Sequence, residues 1–116
     1  MMATGALEAA LLRSGGSHIL ADVQAAVDQG LLQLWETEDS SIVTEILETP
    51  RQRVLNVFLA GGTQDGLEEL APTIRDWARA HGCGKAQFLG RPGFQRVPWL
   101  ARSGWKPVGV MMETDL

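Results

Sequence analysis

The chain has 116 residues, 45% of them hydrophobic and 21% charged, with a net charge of −4, which suits one domain with its own core and excludes a disordered chain. No apolar run approaches the roughly 20 residues of a bilayer span, and the opening residues lack a signal-peptide layout, so the expected location is the cytoplasm and no membrane partner is expected. The acidic balance and the lack of a dense basic run speak against nucleic acid, and Cys83, the single cysteine, excludes an internal disulfide and a multi-cysteine zinc site.

The charge is unevenly spread. Residues 1–50 hold eight carboxylates against Arg13 alone, about −7, whereas residues 81–116 hold five bases against Glu113 and Asp115, about +3. Such a division favours a cationic partner at one region and an anionic partner at the other.

Residues 6–13 have the composition of a short helix ended by Ser14, Gly15 and Gly16, and residues 1–16 are expected to be a loosely attached N-terminal element of a single domain spanning 1–116. Ser17 reads as the cap of a helix running to Asp28, with Ile19, Leu20, Val23 and Val27 on one face and Gly30 as its stop. Three short segments rich in branched and aromatic residues follow, 31–37, 41–48 and 53–60, separated by turns tight enough for antiparallel hairpins. In the middle one, alternation puts Val43, Glu45 and Leu47 on one face, so that face holds a carboxylate.

Past the next glycines, Leu67, Leu70, Ile74, Trp77, Ala78 and His81 recur at helical spacing, the strongest helix signal in the chain. Pro72 is comfortable only in a first turn, which predicts a start near Ala71 or a kink there. Gly82 and Gly84 stop this helix; 85–90 reads as a fourth strand, 92–104 as a helical segment limited by Pro98, and 107–114 as a fifth strand. The order predicts an α/β (α+β) domain: a mixed, mainly antiparallel sheet of about five strands flanked by helices, in which a meander leads into a strand-helix-strand unit with parallel strands.

The stretch VFLAGGTQDGLEEL, residues 57–70, passes from strand through glycines into helix. The free N–H groups and the dipole of such a helix start can seat an anion, and Arg91, in the second glycine turn GRPGF, is a suitable phosphate ligand. His81 and Cys83 read as a helix-end dipole partner and a packed strand residue rather than a metal pair, His18 beside Ser17 as structural, and no metal site is expected. Trp77 belongs to the core, while Trp99 and Trp105, near Arg96, Arg102 and Lys106, suit a protein contact surface.

This order of elements, with a glycine turn between the third strand and the long helix, resembles the core of the GCN5-related N-acetyltransferase family over roughly residues 18–114. The wording VLNVFLAGG, IRDWARAHGCGKAQFLGRPGF and SGWKPVG is similar to small acetyltransferase-fold proteins encoded by phages and prophages. The resemblance implies an acyl-CoA N-acyltransferase-like fold in which 54–60 and 85–90 splay apart to admit the pantetheine arm of acetyl-CoA. It implies pyrophosphate contacts from Gly61, Gly62, Thr63 and Gly66, supplemented by Arg91 and Arg96. The turn departs from the family pattern: its glycines stand in a different register, and Asp65, Glu68 and Glu69 set three negative charges where a pyrophosphate sits, a repulsion comparable to the attraction of a helix start.

Family members use a carboxylate to take the proton of the amine acceptor and a tyrosine to protonate the leaving thiolate. This chain has no tyrosine, so the resemblance leaves Glu45 as the expected base and Ser103 as the expected proton donor. Two functional readings follow. One is an enzyme moving an acyl group from acetyl-CoA to an amine; the other is a non-catalytic structural or protein-interaction member of the fold, virion-associated if phage-derived.

Overall fold

The computed structural model describes residues 17–116 together with Leu7, Ala10 and Leu11. The expectation of a loosely attached element over 1–16 falls, apart from those three positions, outside the described residues.

Helix α1 spans Leu20–Asp28. Its cap is Ile19 rather than Ser17: the Asp22 carboxylate accepts the Ile19 N–H at 3.0 Å, so the first orphan donor is satisfied from inside the helix. Ser17 Oγ instead meets His18 Nδ1 at 2.7 Å. At the other end Gly30 takes φ 79°, its N–H bonds to the Val27 carbonyl and the Leu31 N–H bonds to the Ala26 carbonyl, the paired bonds of a Schellman stop.

Strands β1 (Gln33–Glu36), β2 (Ser41–Glu48), β3 (Arg53–Gly61) and β4 (Cys83–Phe88) form one sheet in chain order. The first three pair antiparallel and β3 pairs parallel with β4 across helix α2 (Gln64–Ala80), as the predicted order requires. A 3-10 turn, Pro92–Arg96, and helix α3, Pro98–Arg102, complete the elements.

Alternation sorts the side chains onto two faces. On one, Val43 and Leu59 pack with Val23 of α1 and with Leu7, Ala10 and Leu11. On the other, Ile42 and Leu55 pack with Leu67, Ile74 and Ala78 of α2. Buried Thr44 is the polar exception on the α2 side; its hydroxyl donates to Gln33 Oε1 at 2.9 Å and accepts from Trp35 Nε1 at 3.0 Å, so its burial leaves nothing unsatisfied.

Two further expectations are corrected. Helix α2 begins at Gln64, capped by Thr63, and carries Pro72 inside it rather than starting near Ala71. Pro72 costs the helix about 3 kcal/mol and one bond to the Glu68 carbonyl, which is on an exposed residue open to water. Burial of Leu67, Ile74 and Ala78 on the sheet outweighs that cost, since each fully buried aliphatic side chain of Leu or Ile size contributes about 1.5–3 kcal/mol.

The second correction is the fifth strand, which is absent: residues 107–116 carry no regular structure, and among the described residues the sheet has four strands. The alternating Val108, Val110 and Met112 supply an apolar face but are about nine-tenths exposed, with no layer above them. A period-2 pattern becomes a strand only where an edge and a covering layer receive it, and here Pro107 also lacks an N–H for a ladder. No helix among the described residues is long and apolar enough to cross a membrane.

Candidate active site

The β2–β3 register shifts between Val43 and Thr44: Val43 faces Leu59 and Thr44 faces Val57, so Phe58 is one residue too many for the ladder. Such a bulge bends its strand, increases the local twist and leaves the extra residue unpaired. Phe58 and Leu59, neighbours that regular alternation would separate, consequently both pack on the α1 side. The parallel ladder of β3 and β4 runs from Arg53 and Cys83 to Val57 and Phe88, the full length of β4, after which β3 continues through the bulge to Gly61. The expected splay of 54–60 from 85–90 is therefore corrected: Val54–Val57 and Lys85–Phe88 are paired, and β3 loses its β4 neighbour at Phe58 because β4 ends there.

A polar row crosses the sheet beside this point. Glu45, Asn56 and Gln87 are register partners; Asn56 Nδ2 donates to Glu45 Oε2 and Gln87 Nε2 donates to Asn56 Oδ1, both long bonds of 3.4 Å. Glu45 and Phe58 also line a cavity of about 640 Å³ under the start of α1, together with Ser17, His18 and Asp22. The His18 ring lies edge-on to Phe58 at 4.8 Å between centroids. His18, Asn56 and Phe58 have no motif around them. The sequence offers no distinguishing signal for the bulge, since Val54 and Leu55 are also adjacent apolar residues in the same strand.

The glycine turn is built around the β1–β2 connection. Ser40 Oγ accepts the Thr63 N–H at 3.0 Å, Thr63 Oγ1 accepts the Gly66 N–H at 3.0 Å, and Thr63 Oγ1 donates to Asp39 Oδ2 at 3.3 Å. Gly62 takes φ 115°, and a Cβ there would collide with the Asp39 carbonyl oxygen; a Cβ on Gly66 would collide with Ser40 Oγ. The turn therefore needs glycine at both positions because another piece of chain lies against it. Gly61 closes β3 opposite Ser41. Beside the turn, a cleft of about 850 Å³ is lined by Glu36, Glu38, Asp39, Asp65 and Glu69, with no basic side chain.

Arg91 stands over the Phe94 ring at 5.9 Å and is exposed, as is Arg96. Trp99 Nε1 donates to Gln64 Oε1 at 2.9 Å, which brings the segment holding these arginines alongside the first turn of α2. Ser103 lies on that same side: its hydroxyl donates to the Trp99 carbonyl at 2.7 Å, and its own carbonyl accepts from Arg75 of α2 at 2.9 Å. Glu45 and Ser103 therefore stand on opposite faces of the sheet. His81 caps α2, its ring stacked on Trp77 at 4.0 Å. Cys83 opens β4; partial burial pushes its thiol up from the ordinary 9.0, while Arg53 pulls it back and Glu48 adds to the rise. Among the described residues no three His, Cys, Asp or Glu side chains converge as metal ligands.

The chain forms a four-stranded mixed sheet whose third strand bulges and outruns a parallel fourth, with the long helix following a glycine turn. No family model and no curated protein matches the chain. Among solved structures it is similar to an acetyltransferase from Trypanosoma brucei, with a TM-score of 0.65 at 14% identity over 99% of this chain and 96% of that one. It is also similar to the wild-type protein TTHA1254 from Thermus thermophilus, with a TM-score of 0.62 at 14% identity over 90% and 85%. At these identities the likeness is one of fold.

Proposed function

We propose that the chain is an N-acyltransferase that moves an acyl group from a CoA thioester to an amine, at the place where β3 leaves β4. The observation that carries this reading is that Glu45 and Phe58, the bulged residue of β3, line one cavity next to where the β3–β4 ladder stops. Past the end of β4, β3 runs on to Gly61 with no β4 partner, an edge that suits a pantetheine arm. The first turn of α2 fits a pyrophosphate poorly, because Thr63 Oγ1 takes the Gly66 N–H, Ser40 Oγ takes the N–H of the cap Thr63, and Asp39 brings a like charge. In the proposal Arg91 and Arg96 carry the phosphate contacts, and Gly61, Gly62, Thr63 and Gly66 shape the turn that borders them.

The thioester supplies an activated acyl carbon. Glu45 accepts one proton from the acceptor ammonium, with Asn56 holding its carboxylate; the freed lone pair forms the C–N bond as the C–S bond breaks. The second amine proton ends on the departing thiolate. The proposal routes it through solvent, since Ser103 is on the far face with its proton engaged. The products are an amide, a free thiol and a protonated Glu45 that returns its proton to water.

Titration with acetyl-CoA, followed by tryptophan fluorescence and thermal shift, tests the reading. Saturable stabilisation at micromolar ligand is expected, on the order of −8 kcal/mol of binding; no shift at millimolar ligand would overturn it. That second outcome would favour a non-catalytic member of the fold, a reading supported by the internally capped α2.

A further inference from the structure

We infer that two copies of this chain dimerise by exchanging their C-terminal segments: residues 107–112 of each copy add as a strand to the outer edge of β4 in the other. The inference goes beyond the acyltransferase reading and does not depend on it. In the sheet order β1-β2-β3-β4 the two outer strands are β1 and β4. An unpaired edge is a row of open N–H and C=O groups, which proteins blunt by shortness, by charge or by a covering segment. Strand β1 is four residues long and ends in Glu36. Strand β4 is six residues long with Lys85 as its one charged residue, and Gly84, Lys85, Ala86 and Gln87 are exposed.

Residues 107–112, PVGVMM, match that edge in length and chemistry. They are uncharged, and Val108, Val110 and Met112 recur in period 2, each about nine-tenths exposed. Pro107 stands first, the position at which a strand tolerates a missing N–H. Glu113 and Asp115 follow; the β1 edge would set Glu36 against them, whereas the β4 edge offers Lys85, so charge selects β4. The segment also leaves the fold beside that edge, because Trp105 lies edge-on to Phe88, the last residue of β4, at 5.1 Å. Phe88, Phe94 and the exposed Leu89 give the same end an apolar surface that the valines can cover. Within one copy, 107–112 pairs with no strand of the described sheet. A second copy answers both needs at once. Two chains meeting β4 to β4 under a two-fold axis each bring an open edge and an unpaired segment, so the exchange closes and leaves neither over. An unrelated partner would have to supply a strand for the edge and an edge for the segment.

The test is light scattering of the full chain after size exclusion over a range of concentrations, joined to hydrogen exchange of the 108–112 amides. A dimer is expected, with those amides protected in the dimer and open once dilution has given the monomer. Val110→Asp and Ala86→Lys each change an exposed side chain. Each variant is therefore expected to keep the parent's circular-dichroism spectrum and to dimerise at least tenfold more weakly. Mixing the two variants is expected to restore a dimer, through one parental junction and one in which the new charges have opposite signs. A parent that stays monomeric at high micromolar concentration would overturn the inference, whether its segment is open or protected on its own β4. So would a dimer indifferent to either substitution, as direct β4-to-β4 pairing or contact through another face would give, and so would a mixture no more dimeric than its components.

Discussion

Ser40 and Thr63, 23 residues apart in the chain, cap each other. The Ser40 hydroxyl oxygen accepts the Thr63 N–H at 3.0 Å and lies 3.3 Å from the Thr63 carbonyl, to which it donates. One buried serine on the β1–β2 turn thereby fixes where β3 ends and α2 begins, and holds Asp39 against the start of the helix.

Removing either partner should cost stability. Thr63→Ala deletes the acceptor for the Gly66 N–H and should cost about 1 kcal/mol, the usual loss for a helix cap. Ser40→Ala leaves the Thr63 N–H without its partner and should cost about 1–3 kcal/mol. Urea melts of the two single variants and the double variant should give a combined loss at least about 0.5 kcal/mol smaller than the sum, because the residues share one network. Additive losses would mean that the two caps act independently.

Gly66→Ala tests how closely the turn is packed. In an open helix this change stabilises by up to about 1 kcal/mol. Here the new Cβ would collide with Ser40 Oγ and lie 2.6 Å from Ser40 Cβ, so a loss of about 1–3 kcal/mol is expected. Combining it with Ser40→Gly, which removes the two nearest atoms and leaves only the end of the Asp39 side chain at 2.9 Å to shift, should make the Gly66→Ala change itself nearly neutral. A Gly66→Ala variant as stable as the parent would contradict this geometry.

Much of this framework could be read from the residues, and the failures have physical causes. Segment 41–48 coincides with β2, and β3 is one residue longer than 53–60, because branched residues bounded by turns leave few alternatives. The start of α2 was hidden by Pro72, whose local penalty the buried face of the helix overrides. The fifth strand failed because alternation defines a face but cannot supply its partner. At the site, alternation gave the face of the sheet that Glu45 shares with Val43; its expected role as a base came only with the family resemblance. Its separation from Ser103 was not legible, since that depends on which face each element covers. The bulge at Phe58 carries no glycine to announce it, and with it Asn56 escaped notice, while His18 read only as a structural neighbour of Ser17.

Cys83 supplies a pH test. Burial raises its thiol above the ordinary 9.0, so the folded state holds that proton more tightly than the unfolded state. The corresponding stability is fully present below the ordinary thiol value and is lost as pH rises through the folded one. Reaction with an aromatic disulfide should therefore show its inflection above pH 9.0 in the native protein and near it in urea. Arg53→Gln removes the cation that lowers the value and should move the native inflection further up; Glu48→Gln should move it down. A native inflection at or below the unfolded one would contradict the assigned burial.

The central claim is that Glu45, beside the bulge at Phe58, removes the acceptor's proton. Its most direct measurement is thiol release from acetyl-CoA in the presence of a primary amine, comparing the parent chain with Glu45→Gln at equal melting temperature. The account predicts release by the parent and a fall of about 10²–10⁴-fold in the variant, smallest at high pH where the amine is already neutral. No release by the parent, or the same rate and pH profile in both, would contradict it.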